Sequence, residues 1–437
     1  MAIGSNCFNF IDPAGIPIKP FDFIIVFTLL TCIVGYSHKR AYFRLSYVKF
    51  VSTGKRGREL KIYREKDWIG TAIFAIVIYL LLNFLGSIIF SIESPSNALK
   101  VVRPLITFLL YFYLRTFKLR DFYRFLYLIL IASIIQGVFF YLQIIGVNVL
   151  AGRVDEAGGT DGMTRYANFP TMSSFFVIYY LLNEKEKTLR RIFFVLFFGT
   201  MVLLGQMRGE IIGVSAVFVV YFLLKRKIKY VGYIIIGIIL YQLVIAPMFE
   251  YRTRNSSTST VQEIVNVVTN PLSIYNNYII QEQEGTFSFR IAMLSERVFF
   301  MFDNPQYFPF GIGCIHEDSD SNHFIFSLGT HNEMYKYGYS MLSSADIAWV
   351  GILMRYGMLG VILFMFFFYA WVRVGIPLVK KNRNILLVMA SLFVVSSFML
   401  SFNSENLGRV PSIMLLTFYC AIIYVFRNSK ACLQNCS

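Results

Sequence analysis

The sequence predicts an all-α integral membrane protein with about eleven (11–12) transmembrane helices and one large, partly helical external loop. Two observations support this fold class. Hydrophobic residues make up 56% of the 437 residues and charged residues only 15%, whereas a soluble domain carries about 25% charge. The apolar residues also fall into long runs with few charges, and about 18 such residues indicate a transmembrane helix.

The apolar runs divide the chain into four parts. An N-terminal bundle of about eight helices is predicted over 1–248, the large loop over 249–345, about three further helices over 346–426 and a tail over 427–437. The predicted spans lie near 20–36, 69–92, 101–114, 125–147, 169–183, 192–207, 210–224, 230–248, 357–372, 385–402 and 412–426.

Lysine and arginine are distributed unequally between the two sides of the predicted membrane. Alternate connections, together with the tail, hold 28 Lys+Arg against 6 Asp+Glu, and the rest of the chain holds 13 against 19. Positive loops remain in the cytoplasm, so we expect an external N-terminus and a cytoplasmic C-terminus. The net charge of +16 therefore reflects topology, and no nucleic-acid partner is expected.

The external connection 249–345 is long and has structure of its own. Residues 260–279 and 289–305 show helical patterns, and the second stops at Asn304-Pro305. A loop of this length with its own helices is usually functional. Because a channel or a flippase would not need it, we expect chemistry at the outer face.

Ionisable residues lie at the predicted outer ends of the spans and in the large loop. Such groups are costly at membrane depth unless they are paired or hydrated, so they are functional candidates, with anchoring of helix ends as the alternative for each. Guanidinium groups match phosphate oxygens with two hydrogen bonds, which favours a phosphate-bearing lipid as ligand. The residues are Arg165, Arg208, Arg290, Arg297, His331, Asp346 and Arg355.

Three segments carry a pattern in a fixed order. Arg165 precedes a span with Pro170, the pair Arg208-Gly209 opens a helix within LLGQMRGEIIGV, and FSFRIAMLSERVFFMFDNPQYFPFGIG ends in Gly311-x-Gly313. Together these segments resemble the bacterial O-antigen polymerase and O-antigen ligase superfamily, multi-span glycosyltransferases with one large periplasmic loop. The resemblance covers roughly 165–375.

The ligase branch of that superfamily has a His-Asn/Ser/Gln pair, nine residues and then Gly-x-x-Gly before a late span. Here DIAWVGILMRYGMLG meets the spacing with Gly357 and Gly360, but Asp346 stands in place of the histidine. His331-Asn332 is followed nine residues later by Leu342 instead of glycine. The departure favours the polymerase branch.

The resemblance implies the roles of individual residues. It makes Arg208 the first candidate for diphosphate binding, together with Arg290, Arg165, Arg297 and Arg355. The base that deprotonates or orients the acceptor hydroxyl stays open between three groups, Asp346, Glu210 and His331. Alternative roles are a carboxylate in the first helical turn for Glu210 and the N-cap of a long 346–372 helix for Asp346.

The implied activity is an inverting glycosyl transfer that needs no metal or other cofactor. Its substrates are undecaprenyl-diphosphate-linked oligosaccharide repeat units at the periplasmic face of the inner membrane, and its partners are membrane lipid, a chain-length regulator and a flippase. The acidic turn HEDSDSNH (316–323) is interpreted as solvated rather than as a metal site, because loop spacing alone gives no ligand geometry.

Three other functions compete with the polymerase. A ligase would transfer finished glycan to lipid A-core or to a protein by the same chemistry. A lipid-linked oligosaccharide flippase would show paired half-sequence repeats, which are not apparent. Transferases that use polyprenyl monophosphate sugars usually have an acidic pair in the first external loop, where this chain has SIESPSNALK with one glutamate.

Overall fold

The computed structural model describes a large part of the chain, and every structural statement below concerns that part. The described residues are 20–38, 45–53, 59–144, 147, 170, 172–204, 208–225, 286–317, 319–324, 326, 328, 342, 347–381, 384–402, 404 and 406–428. The predicted span 230–248, the predicted helix 260–279 and most of the tail lie outside them.

The described residues are mainly helical. In chain order the helices are α1 (Pro20–His38), α2 (Trp68–Ile89), α3 (Pro95–Ile106), a 3-10 turn (Thr107–Leu109), α4 (Leu110–Leu114), α5 (Leu119–Ile144), α6 (Ser173–Leu182), α7 (Thr188–Leu204), α8 (Arg208–Lys225), α9 (Thr286–Asp303), α10 (Ala348–Lys381), α11 (Ile385–Ser401) and α12 (Val410–Asn428). Five segments are long and apolar enough to cross a membrane, and four shorter apolar helices accompany them. The prediction of a helical, multi-pass membrane protein is confirmed, while the count of eleven spans remains a prediction.

A β-hairpin, which the sequence analysis did not predict, joins α1 to α2. Strands β1 (Ser46–Thr53) and β2 (Glu59–Lys66) pair antiparallel along their whole length. The amide of Asp67 donates to the carbonyl of Leu45 at 2.8 Å and closes the base of the hairpin. Its many lysines and arginines made this segment resemble an ordinary cytoplasmic loop, although β-branched and aromatic residues recur along both strands.

Contacts between helix ends sort the connections into two groups, in agreement with the alternation predicted from charge. At the end that carries the basic connections, Arg115 pairs with Asp67, Tyr123 bonds Asn384, and the Arg373 guanidinium lies 4.2 Å from the Trp68 ring centre. At the opposite end, which we call the outer end, Ser87 bonds Cys314, Glu93 bonds His316, Ser174 bonds Glu210 and Trp349 bonds Ser401.

The long element α10 reverses direction at Gly357, whose φ of 62° and ψ of −166° are not helical. The rings of Trp349 and Phe368 lie 6.4 Å apart, although 19 residues of straight helix would separate them by about 28 Å. Likewise, a β-carbon on Gly360 would lie 3.6 Å from the carbonyl oxygen of Ile352. The expected single helix over 346–372 is therefore wrong, because the chain folds back at Gly357 as a helical hairpin. Its second arm contains the predicted span 357–372.

Candidate functional site

The central feature of the outer end is a contact between two glycine backbones, Gly311 and Gly357. A β-carbon on Gly357 would lie 2.4 Å from the Gly311 nitrogen, and one on Gly311 would lie 2.5 Å from the carbonyl carbon of Arg355. Both glycines have positive φ angles, 78° and 62°, which glycine adopts without a steric penalty. The segments 307–313 and 354–360 meet here, and we call them together the glycine junction.

Hydrogen bonds across the glycine junction satisfy the backbone groups that the helix break would leave without partners. Segment 307–313 approaches both arms of α10, accepting from amides of the second arm and donating to a carbonyl of the first. A tyrosine of α2 completes the set. The bonds are Ile312 N to Met354 O at 2.8 Å, Met358 N to Phe308 O at 2.8 Å, Leu359 N to Pro309 O at 3.1 Å and Tyr79 Oη to Tyr356 O at 2.6 Å.

Two side chains on one face of α2 bind the backbone of residues 310–314. Asn83 donates from Nδ2 to the carbonyl of Phe310 at 3.1 Å, and the amide of Cys314 donates to Ser87 Oγ at 2.9 Å. The Cys314 thiol donates to Asn83 Oδ1 at 3.2 Å. Burial raises the pKa of this thiol to about 11, against lesser opposing effects of Ser87 and Arg355, so the group remains protonated and serves packing.

Arg355 lies two residues before the break in α10 and points to the acidic turn. Its Nη2 is 2.8 Å from Glu317 Oε1, and its Nε donates to the carbonyl of Ile315 at 3.3 Å. The second oxygen of Glu317 accepts from the amide of Leu342 at 2.8 Å. Among the candidate arginines whose side chains the structure describes, Arg355 thus lies at the glycine junction.

The turn 316–323 is attached to the protein more firmly than a solvated turn would be. The amide of His316 donates to Glu93 Oε2 at 3.1 Å, and Ser319 is buried beside it. Burial opposes ionisation of Glu93, but hydrogen bonds from Ser319, Ser94, His316 and other donors outweigh it and lower the pKa of the carboxyl. Among the described residues, no group of three or more His, Cys, Asp or Glu could hold a metal ion.

Helix α9 carries Arg290 and Arg297, both predicted to bind diphosphate. Arg297 is fully buried, forms an ion pair with Glu296 and stacks on Phe326 with its guanidinium 4.1 Å from the ring centre. Glu296 also accepts from the amide of Leu328 at 3.1 Å. This arrangement fastens α9 to the loop that follows it and buries the Arg297 side chain, whereas Arg290 is only partly buried.

Glu210 stands in the first turn of α8, and Ser174 of α6 donates to its Oε2 at 2.7 Å. The neighbouring Ser173 instead bonds the carbonyl of Pro170, at 2.7 Å. Helix α8 begins at Arg208, so the sequence prediction of a helix opening at the Arg208-Gly209 pair is confirmed. The Arg208 side chain lies outside the described part of the structure, as do Arg165, His331 and Asp346.

Comparison with known families adds one finding. Residues 192–365 match a family model described as O-antigen ligase. The O-antigen ligase match runs from α7 through α8 and α9 to the second arm of α10, so it contains the whole glycine junction. It supports the O-antigen ligase and polymerase superfamily, and hence a role in glycan polymerisation or ligation. No curated protein matches the chain.

Several residues of the outer end were missed by sequence reasoning. Glu317 was considered only as part of a solvated turn, and Tyr79, Ser174 and Glu93 were not considered for the site. Each acts through one or two hydrogen bonds to a segment far away in the chain. Local sequence carries no signal for such bonds.

Proposed function

We propose that the protein polymerises undecaprenyl-diphosphate-linked oligosaccharide repeat units into a surface polysaccharide at the periplasmic membrane face. The observation that carries the proposal is the meeting of the two motif segments, Gly311-x-Gly313 and Arg355–Gly360, at one point of the outer end. A guanidinium beside this junction suits a lipid diphosphate, because it remains charged and can bond two oxygens.

The reaction is a displacement at the anomeric carbon of the growing glycan. A hydroxyl of the incoming repeat unit forms the new glycosidic bond, and the bond to the diphosphate breaks with inversion. The electron pair leaves with undecaprenyl diphosphate, whose developing charge Arg208 and Arg355 stabilise. The hydroxyl proton passes to a base, for which Glu210, Asp346 and His331 are the candidates.

The other arginines of the sequence pattern contribute unequally to this proposal. Arg290 and Arg165 are further candidates for the diphosphate. Arg297 is better suited to hold α9 in place, because its side chain is fully buried, whereas the Arg355 side chain is 14% exposed. The proposal therefore places less weight on Arg297 than the sequence pattern did.

A ligase is the second candidate, and the description of the matched family, O-antigen ligase, favours it. Against it stands Asp346, which occupies the position of the histidine in the ligase pattern. Both enzymes would release undecaprenyl diphosphate and differ only in the acceptor. The choice of acceptor is therefore what an experiment has to test.

The test uses the full-length protein in lipid nanodiscs with a lipid-linked repeat unit as the only sugar substrate. A ladder of products longer than one repeat is the expected result. Extension that requires added lipid A-core would mean a ligase. No extension with either acceptor would overturn the proposal and return attention to flippase activity.

The same assay tests whether Arg208 binds the diphosphate. Arg208→Ala is expected to abolish the ladder while the protein still accumulates in the membrane. Arg120→Ala is the matched control and should leave the ladder intact. Arg120 is exposed and lies in the first turn of α5, at the end that carries the basic connections. Full activity of Arg208→Ala would remove Arg208 from the mechanism.

A further inference from the structure

Glu317 connects three separate parts of the outer end through one carboxylate. Oε1 is 2.8 Å from Nη2 of Arg355, and Oε2 accepts from the amide of Leu342 at 2.8 Å. Its own backbone is held as well, because Asn322 Nδ2 donates to the Glu317 carbonyl at 3.0 Å. A single side chain therefore joins the acidic turn, the end of the first arm of α10 and Leu342.

The surroundings make these bonds strong. The side chains of Arg355 and Glu317 are 14% and 13% exposed, so water screens the pair little. Hydrogen bonds between charged groups are roughly twice as strong as neutral ones. Leu342 is completely buried in a cluster with Met354 and Phe326, so the amide that Glu317 binds is itself fixed.

We infer that Glu317 is a positioning residue, which aims the Arg355 guanidinium from the acidic turn and holds the amide of Leu342 at the same time. The inference rests on the proposed function, since it concerns how that site is held. An arginine on its own loses much rotamer entropy when it is ordered. Because Glu317 already orders the Arg355 side chain in the folded protein, this entropy is not lost again when the diphosphate binds.

Glu317→Gln tests this role, because the amide keeps the size of the side chain and removes its charge. A misplaced group can cost up to about a hundredfold in rate, and we expect kcat for repeat-unit extension to fall about tenfold or more. KM for the lipid-linked donor should change little, as for an interaction that matters mainly in the transition state. Both constants are measured on folded protein in nanodiscs.

Glu93→Gln is the matched control. Glu93 fastens the same turn through His316 but lies on the other side of it, in contact with the α2–α3 connection. It should keep kcat within about twofold, because glutamine retains an acceptor oxygen for the His316 amide and leaves both partners of Arg355, Glu317 and the Ile315 carbonyl, in place. An equal loss of kcat in both variants would overturn the inference, since the effect would then come from the turn in general.

The remaining outcomes are equally decisive. If Glu317→Gln fails to accumulate, Glu317→Asp carries the same comparison, and its kcat should fall as well because the shorter side chain cannot reach both partners. Wild-type kcat in the variant that folds would overturn the positioning role while leaving the polymerase proposal intact. If the wild-type protein itself extends nothing, the proposed function fails first.

Discussion

Gly311 and Gly357 touch through their backbones, with 2.4 Å between the Gly311 nitrogen and the place where a β-carbon of residue 357 would stand. This contact explains why glycine occurs in two motif segments that are far apart in the chain. Gly311 lets the external segment approach the break in α10, and Gly357 makes the break. Because the same contact holds Arg355 near the external segment, the geometry of the site depends on it.

Replacing Gly357 by alanine should therefore destroy the junction. A non-glycine residue at such a φ costs about 1–3 kcal/mol, and the new methyl would in addition overlap backbone atoms that cannot move away freely. We expect Gly357→Ala to lower the thermal stability of the purified protein by several degrees and to abolish glycan extension. Both are measured on protein in the same detergent or nanodisc.

Gly86→Ala is a suitable control for that experiment. Gly86 lies in α2, and no atom is found within 4 Å of a β-carbon placed on it. Alanine is favoured over glycine inside a helix by up to about 1 kcal/mol, so stability should stay the same or rise. Wild-type activity and stability in Gly357→Ala would show that the break in α10 is not required.

The sequence predicts most helices of the described residues but neither the β-hairpin nor the mutual arrangement of the helices, for a physical reason. Membrane spans follow from the length of apolar runs, and the end of α9 at Asp303 follows from the Asn304-Pro305 stop. The reversal of α10 does not, because the sequence is apolar on both sides of Gly357. Its unusual φ is stabilised by Gly311, which lies 46 residues earlier in the numbering.

The roles of the candidate arginines are equally difficult to predict from the sequence. Sequence alone treats Arg297 and Arg355 alike, since each is a cation at a predicted outer position. The structure separates them, because Arg297 is enclosed by Glu296 and Phe326, while Arg355 lies at the junction with Glu317. Burial and partners depend on the folded loop, which no local pattern encodes.

Breaking the buried ion pair between Asp67 and Arg115, at the end that carries the basic connections, should destabilise the protein strongly. Its atoms are 2.9 Å apart with both side chains 5% exposed, and Tyr111 also donates to the carboxylate. Removing one partner of such a pair costs about 3–5 kcal/mol. Asp67→Asn should therefore lower the thermal midpoint of the purified protein markedly while leaving kcat of the folded fraction unchanged.

An exposed pair provides the comparison for that measurement. Arg190 and Glu186 lie 3.3 Å apart on the surface of the same end, with 48% and 25% of their side chains exposed. Exposed pairs contribute at most about 1 kcal/mol, so Glu186→Gln should shift the midpoint slightly. Equal shifts of the thermal midpoint in the two variants would show that the buried Asp67–Arg115 pair matters no more to stability than an exposed pair.

Ser174 and Ser173 provide a direct test of Glu210. If Glu210 is the base, Glu210→Gln should reduce extension by about a hundredfold or more, which is the usual contribution of such a group. Ser174→Ala removes the hydroxyl bonded to Glu210 and should reduce kcat by a smaller factor. Ser173 is equally buried, but its hydroxyl bonds the carbonyl of Pro170 instead of Glu210, so Ser173→Ala should have no effect on kcat.

The result for Glu210→Gln also decides between the candidate bases. Normal activity would leave the carboxylate with its structural role in the first turn of α8, where the helix dipole favours a negative charge. The proton would then have to pass to Asp346 or His331. Equal losses of kcat in Ser173→Ala and Ser174→Ala would point to a general disturbance of α6 instead.

The stability provided by Glu93 should depend on pH. Burial alone would raise the pKa of this carboxyl, but hydrogen bonds from Ser319, Ser94 and His316 lower it below the ordinary value of 4.5. A carboxyl whose pKa is lower in the folded state stabilises the fold fully above the unfolded pKa and loses this effect as the pH falls through the folded pKa. The contribution should therefore be constant near neutral pH, decline as the pH falls below about 4.5 and disappear below the folded pKa.

Comparison with Glu93→Gln isolates this contribution, because glutamine does not titrate. The thermal midpoints of the two proteins should differ by a constant amount between about pH 7 and pH 5 and converge in more acidic buffer. A difference that persists unchanged below pH 4 would mean that the hydrogen bonds to His316 and Ser319 do not depend on the charge of Glu93. The turn 316–323 would then be held by the shape of its surroundings, and Glu93 would serve only as an acceptor.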